Sequence, residues 1–132
     1  MSEENKNEVQ AEGFFGMYVK MVDNLTKYDI QIKVREYPNL SLAIEAGETD
    51  KPANFPLPWV SDVNSEGKCI SIRIPELSLN ILLWDDHNSG AYYNKKGQWN
   101  TQADKVAGNA YGHGDYRLTI KENGGLRMEK FQ

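Results

Sequence analysis

The sequence predicts an all-β fold: an antiparallel β-sandwich of about seven to nine short strands with a C-terminal hairpin and at most one or two short helical turns. Three observations lead there. Several runs alternate apolar and polar residues with a period of two, as strands do when one face is buried and the other wet. Clusters of Gly, Pro, Asn and Asp punctuate the chain about every eight to twelve residues, the spacing of turns between short strands. Helical periodicity is almost absent, and no internal repeat marks a propeller or solenoid, so a small closed or half-open barrel is the one competing architecture.

The elements follow in order. Residues 1–12 carry Glu3, Glu4, Glu8 and Glu12 against Lys6 and almost no apolar side chain. Such a segment buries too little surface to offset the entropy of ordering, so it is expected to be a disordered acidic tail ahead of a single β-sandwich domain over residues 13–132. "MYVKMVD" (17–23) and "YDIQIKVRE" (28–36) are strand-like runs separated by "NLTK", and in the second Ile30, Ile32 and Val34 alternate with Asp29, Gln31, Lys33 and Arg35. "LSLAIEA" (40–46) suits a third strand, though its alanines also suit a short helix. "KPANFPLPWV" holds three prolines, which rule out a central strand and suggest an extended crossing that ends at Trp59. "CISIRIP" (69–75) and "LSLNILLW" (77–84) are strands, the latter with Leu77, Leu79, Ile81 and Leu83 on its inner face. "NTQADKVAG" (100–108) is the one helix candidate, and "YRLTIKENGGLRMEKF" is a hairpin turning at Asn123-Gly124-Gly125, where glycine supplies the positive φ of a tight turn.

Charge and composition narrow the function. The first twelve residues hold −3 of the formal net charge of −4, leaving −1 for the rest, and the lysines lie scattered among acids. Nucleic acid is therefore not an expected partner. No apolar run approaches the roughly 20 residues of a transmembrane helix, so no transmembrane segment is expected, and the acidic start lacks the pattern of a signal peptide. Cys69 is the single cysteine, which excludes an intrachain disulfide and a cysteine-built zinc site; at the head of an alternating run it is expected to be a small buried apolar residue. The sequons at Asn24 and Asn39 matter only in a secretory pathway.

The stretch "WDDHNSGAYYNKKGQWN" (84–100) concentrates chemistry. As a metal-dependent enzyme it would use Asp85, Asp86, His87 and the distant His113, but three consecutive residues on a turn point in different directions, and His113 sits between two glycines. Asp86, Asn88 and Gly90 have the alternate spacing of a calcium loop without the closing glutamate, and the same residues form turns in their own right. Neither "GHGD" nor "NGG" joins a strand to a helix, as a phosphate loop requires. No metal or cofactor is expected. What stands out is aromatic: Trp84, Tyr92, Tyr93 and Trp99, with Lys95 and Lys96 beside them and Trp59 placed at the same end. Rings of this kind in loops suit saccharide faces, lipid headgroups or partner proteins, whereas the plainer account has Trp84 and one tyrosine closing the end of the sandwich.

"YVKMVDNLTKYDIQIKV" resembles the opening of small β-sandwich cytolysins, the aegerolysins and the actinoporin and fungal-lectin group. "LLWDD" followed by a Gly/Asn/Lys loop and "GQWN" is similar to the aegerolysin stretch in which a strand ends in Trp-Asp before an aromatic loop, and "GDYRLTI" to the closing strand. The proline-rich crossing at 52–58 departs from that pattern, and residues 1–12 lack the apolar face of the actinoporin N-terminal helix. The resemblance implies recognition of a membrane lipid or glycan, as a cytolysin or insecticidal-toxin-like component, with Trp84, Tyr92, Tyr93 and Trp99 as contacts. The sequence thus predicts a non-enzymatic domain that binds a lipid headgroup or glycan. The alternative is a protein-interaction or assembly subunit, with a second protein component or a second copy of the chain as partner.

Overall fold

A computed structural model describes residues 16–60, 63–86, 90–95, 97, 103–108 and 112–131. The tail at 1–12 lies outside them. Among the described residues the chain forms β1 (Met17–Asn24), β2 (Ile30–Val34), β3 (Tyr37–Ile44), β4 (Lys51–Leu57), β5 (Ile70–Ile74), β6 (Leu79–Asp86), β7 (Gly90–Asn94), β8 (Asp104–Lys105), β9 (Ala107–Gly108), β10 (Gly114–Ile120) and β11 (Leu126–Lys130). Nine of these have five residues or more, and two are two-residue ladders. Only short 3-10 turns, Val63–Lys68 and Pro75–Leu77, interrupt them.

The strands build an all-β sandwich. One sheet has the order β9-β11-β10-β1-β4 and the other β3-β2-β5-β6-β7-β8. Alternation sends one residue in two inward, so Val19, Val22, Phe55, Tyr116, Leu118 and Met128 of the first sheet meet Ile32, Ile70, Ile72, Ile81, Leu83 and Tyr93 of the second in one core. Register aligns the second layer: Ile32 lies opposite Ile72, and Ile72 opposite Ile81. The C-terminal hairpin forms at the predicted place, with Gly124 at φ 86° and Asn123 Oδ1 accepting from Gly125 N at 2.8 Å.

Four expectations change in detail. The pairing is not wholly antiparallel: β1 runs parallel to β10, and β9 to β11. The proline-bearing segment is a strand, β4, at the edge of its sheet, where a missing N–H is tolerated. The described part of the expected helix, residues 103–108, is instead two short strands, because Val106 N donates to Ala91 O (3.0 Å) and its side chain is buried. Leu77 leaves the inner face and is exposed, since Pro75 opens a 3-10 turn that Ser78 ends at φ 50°.

One buried carboxamide joins the two sheets. Asn24 ends β1; its Nδ2 donates to Tyr28 O (2.8 Å), Glu45 O (3.0 Å) and Ile44 O (3.4 Å), and its Oδ1 accepts from Thr26 N (3.0 Å) and Thr26 Oγ1 (2.7 Å). The first sequon is thus consumed by the fold, while Asn39 is exposed on β3. Asn24→Ala strands several buried acceptors, each costing roughly 1–3 kcal/mol, so it is expected to lower stability by about 3 kcal/mol or more in denaturant unfolding. Asn24→Asp is expected to be no better, since it removes the donors and buries a charge.

Candidate binding surfaces

The β6–β7 hairpin carries the aromatic stretch, and its register sets each ring's side: Leu83 lies opposite Tyr93 and Trp84 opposite Tyr92. Tyr93 faces the core between the sheets, 9% exposed. Trp84 points the other way and is nonetheless 2% exposed, because the outer face of the second sheet carries its own small core. Val60, Cys69, Leu82 and Trp84 pack together there, with Tyr92 and Ala103 against them. The roof is the segment Pro58 to Val60 that follows β4: Asp85 N donates to Pro58 O (2.8 Å) and Val60 N to Asp85 O (3.1 Å), so Trp59 forms a parallel bridge with Asp85. The apolar outward positions of β6 are explained by this cover.

Trp84 and Tyr93 are therefore core residues and offer no open surface, a correction to their reading as ligand contacts; Tyr92 is half-buried. Lys95 donates to Asn123 O (3.0 Å), tying the end of β7 to the C-terminal turn. Lys96 and Trp99 lie outside the described residues, as do His87 and Asn88 of the metal readings. Asp86 closes β6 opposite Gly90, and His113 is exposed just before β10, in the other sheet. Among the described residues no three His, Cys, Asp or Glu side chains converge as a metal site would need.

Burial also settles the state of two ionisable groups. The Cys69 thiol, fully buried in the outer core, is pushed up to about 12 by desolvation, so it stays protonated and unreactive. Tyr116, buried between the sheets, donates to Gly112 O (2.6 Å) and is likewise pushed up to about 12, by desolvation first and by the Asp85 charge second.

The open aromatic surface lies elsewhere. Tyr18 of β1 and Pro56 and Pro58 of the β4 segment line a cleft of ≈ 280 Å³ together with Glu36 of the β2–β3 turn and Tyr37 at the start of β3. Tyr37 is 53% exposed, and Trp59, next after Pro58, 52%. Lys20 Nζ stands 5.1 Å from the centre of the Tyr18 ring while donating to Asn54 Oδ1 (2.7 Å), which holds that ring's surroundings in place. Sequence reading found Trp59 but missed Tyr18 and Tyr37, which sit singly in strand runs and meet only because the two sheets close on each other.

Both raised groups act in one direction on stability. Above pH about 9 the unfolded thiol, and then the unfolded phenol, release protons that the folded protein retains up to about 12, so stability falls as pH rises through that window. Denaturant unfolding at stepped pH should show this decline, flattened in Cys69→Ala, and native Cys69 should resist alkylation until the protein is unfolded. The chain matches no family model, no curated protein and no solved structure.

Proposed function

We propose that the protein is a non-catalytic binding domain that recognises a saccharide, free or carried as the headgroup of a membrane lipid, at the cleft between Tyr18 and Tyr37. The observation that carries this reading is the cleft itself: phenol rings and proline rings supply flat apolar walls, and the Glu36 carboxylate supplies a hydroxyl acceptor. Aromatic faces with one polar handle suit the C–H faces and hydroxyls of a sugar ring. If Tyr18 and Tyr37 each lost ~100 Å² of exposed surface, ~25 cal/mol per Å² would give about 5 kcal/mol gross, to which the polar contact of Glu36 adds. The two phenol rings come from β1 and the start of β3.

The reading is tested by glycan-array binding and by co-sedimentation with vesicles that contain or lack a glycolipid. Tyr37→Ala and Glu36→Gln are expected to weaken binding by about tenfold each without lowering the unfolding midpoint, because both side chains are exposed and line the cleft. Pelleting only with glycolipid vesicles would identify a headgroup, and array signal without pelleting a free glycan. No binding by the wild type in either assay, or undiminished binding by both variants, would overturn it.

A second reading, a protein-interaction subunit, is supported by β3, an eight-residue strand at the edge of its sheet that could accept a partner strand. Light scattering that finds a stable oligomer would favour it.

A further inference from the structure

We propose that the outer face of the second sheet carries a separate site for an oxyanion of multiple charge, a phosphate- or sulfate-bearing group. The site lies beside the small outer core and shares no lining residue with the aromatic cleft.

Alternation on β2 and β5 places its charges. Ile32 and Val34 point into the sandwich, so Gln31, Lys33 and then Arg35 point out; Ile72 and Ile74 point in, so Ser71 and Arg73 point out. In the antiparallel register Lys33 lies opposite Ser71 and Gln31 opposite Arg73, which makes Lys33 and Arg73 diagonal neighbours on one face. Lys33, Arg35 and Arg73 then line one cleft of ≈ 580 Å³ whose other walls include Pro38, Ser71 and Asn80. A second cleft of ≈ 440 Å³ shares Lys33, Pro38, Ser71 and Arg73 and extends toward Ser41 on β3. The cations thus stand along a trough rather than around a single point.

Two features point to an anionic occupant. Among the described residues, no carboxylate lines either cleft. Among the described residues, Lys33, Arg35 and Arg73 have no side-chain hydrogen bond or ion pair, as is true also of Lys68, Lys105 and Lys121, but only the first three stand together on one cleft. In a chain of net charge −4, three unpaired cations on one trough make a local positive field that selects anions against the rest of the surface. The floor is preset: Ser71, buried, donates to Asn80 Oδ1 at 2.7 Å, and both residues line the first cleft. Guanidinium groups match phosphate and sulfate oxygens with paired donors, and the lysine adds a point charge. The volume exceeds what a lone ion fills and falls in the range of small-molecule sites, so the oxyanion is expected to be part of a larger molecule.

The test uses the full chain and inorganic pyrophosphate in isothermal titration, together with co-sedimentation on phosphatidylcholine vesicles with and without phosphatidylinositol phosphate. Wild-type protein is expected to bind pyrophosphate at low salt and to release it as sodium chloride rises. Lys33→Ala and Arg73→Ala should each weaken binding by about tenfold, the loss of one charge-assisted contact, at unchanged unfolding midpoint. Tyr37→Ala should leave it unchanged, which separates this site from the aromatic cleft. Added pelleting with the phosphoinositide vesicles would place the oxyanion on a lipid headgroup; binding of pyrophosphate alone would place it on a soluble ligand. The assignment is overturned if the wild type binds neither probe, if the Lys33/Arg73 double variant binds as well as the wild type, or if Lys27→Ala, remote from the trough, causes an equal loss.

Discussion

Everything in this sandwich hangs on how β1 leaves one sheet and β2 enters the other. The link, residues 25–29, must cross the core's end without exposing it, and Asn24 makes that possible by serving five bonds at once. An amide is the only uncharged side-chain group that can donate to two separate carbonyl groups while accepting from the following turn. The backbone adds to it: Asn24 N donates to Glu48 O and Leu25 N to Ile120 O, so three chain segments converge on one residue that is fully buried. Buried polar groups of this kind contribute only when every member is satisfied, and here they are.

Next to that corner a second fastening closes the first sheet. Arg117 on β10 donates to both oxygens of Asp23 on β1 (2.8 and 3.0 Å) and to Asp50 (2.7 Å), while Asp23 Oδ1 also accepts from Asp50 N (2.8 Å). Asp50 sits at φ 60°, a conformation that aspartate tolerates better than most residues, and these contacts hold it there. The parallel β1–β10 pairing is thus secured by charge at the point where Arg117 steps one residue out of register with the partner strand. With that end fixed, β4 is delivered to the sheet edge and its continuation, Pro58 to Val60, to the outer face of the other sheet.

Much of the fold was legible because its signals are local. The alternation in Ile30–Val34 and Ile70–Ile74 and the glycine turn at 123–125 are complete within a few residues. What could not be read depends on residues far apart. The parallel partner of β1 is about a hundred positions away, and period two reports a face without naming a neighbour. Trp84 looked like a loop aromatic because nothing near it in sequence says that Val60 and Cys69 cover it. Residues 103–108 have apolar spacing that fits a helical turn, but Ala103 and Val106 are held by β7 and the outer core, and tertiary contact overrides so short a preference. The trough cations were counted as scattered charges, since Lys33 and Arg73 become neighbours only through strand register.

The two halves of that outer face explain each other. Leu82 and Trp84 on β6 need a cover, and Val60 and Cys69 provide one over the end where β6 and β7 pair. The cover cannot continue across β2 and β5, because there it would bury Lys33 and Arg73 without counter-charges, and an unpaired buried cation costs several kcal/mol, more than the apolar contact of a loop returns. The cations therefore set the limit of the outer core, and the uncovered part of the sheet remains a trough open to solvent. A sheet face with no function would more simply carry short neutral residues, as the neighbouring strand does with Ser41 and Ala43. Three long cations on the part that cannot be roofed are compatible with stability only while water or an anion solvates them, and a ligand that brings its own negative charge does so without closing the face.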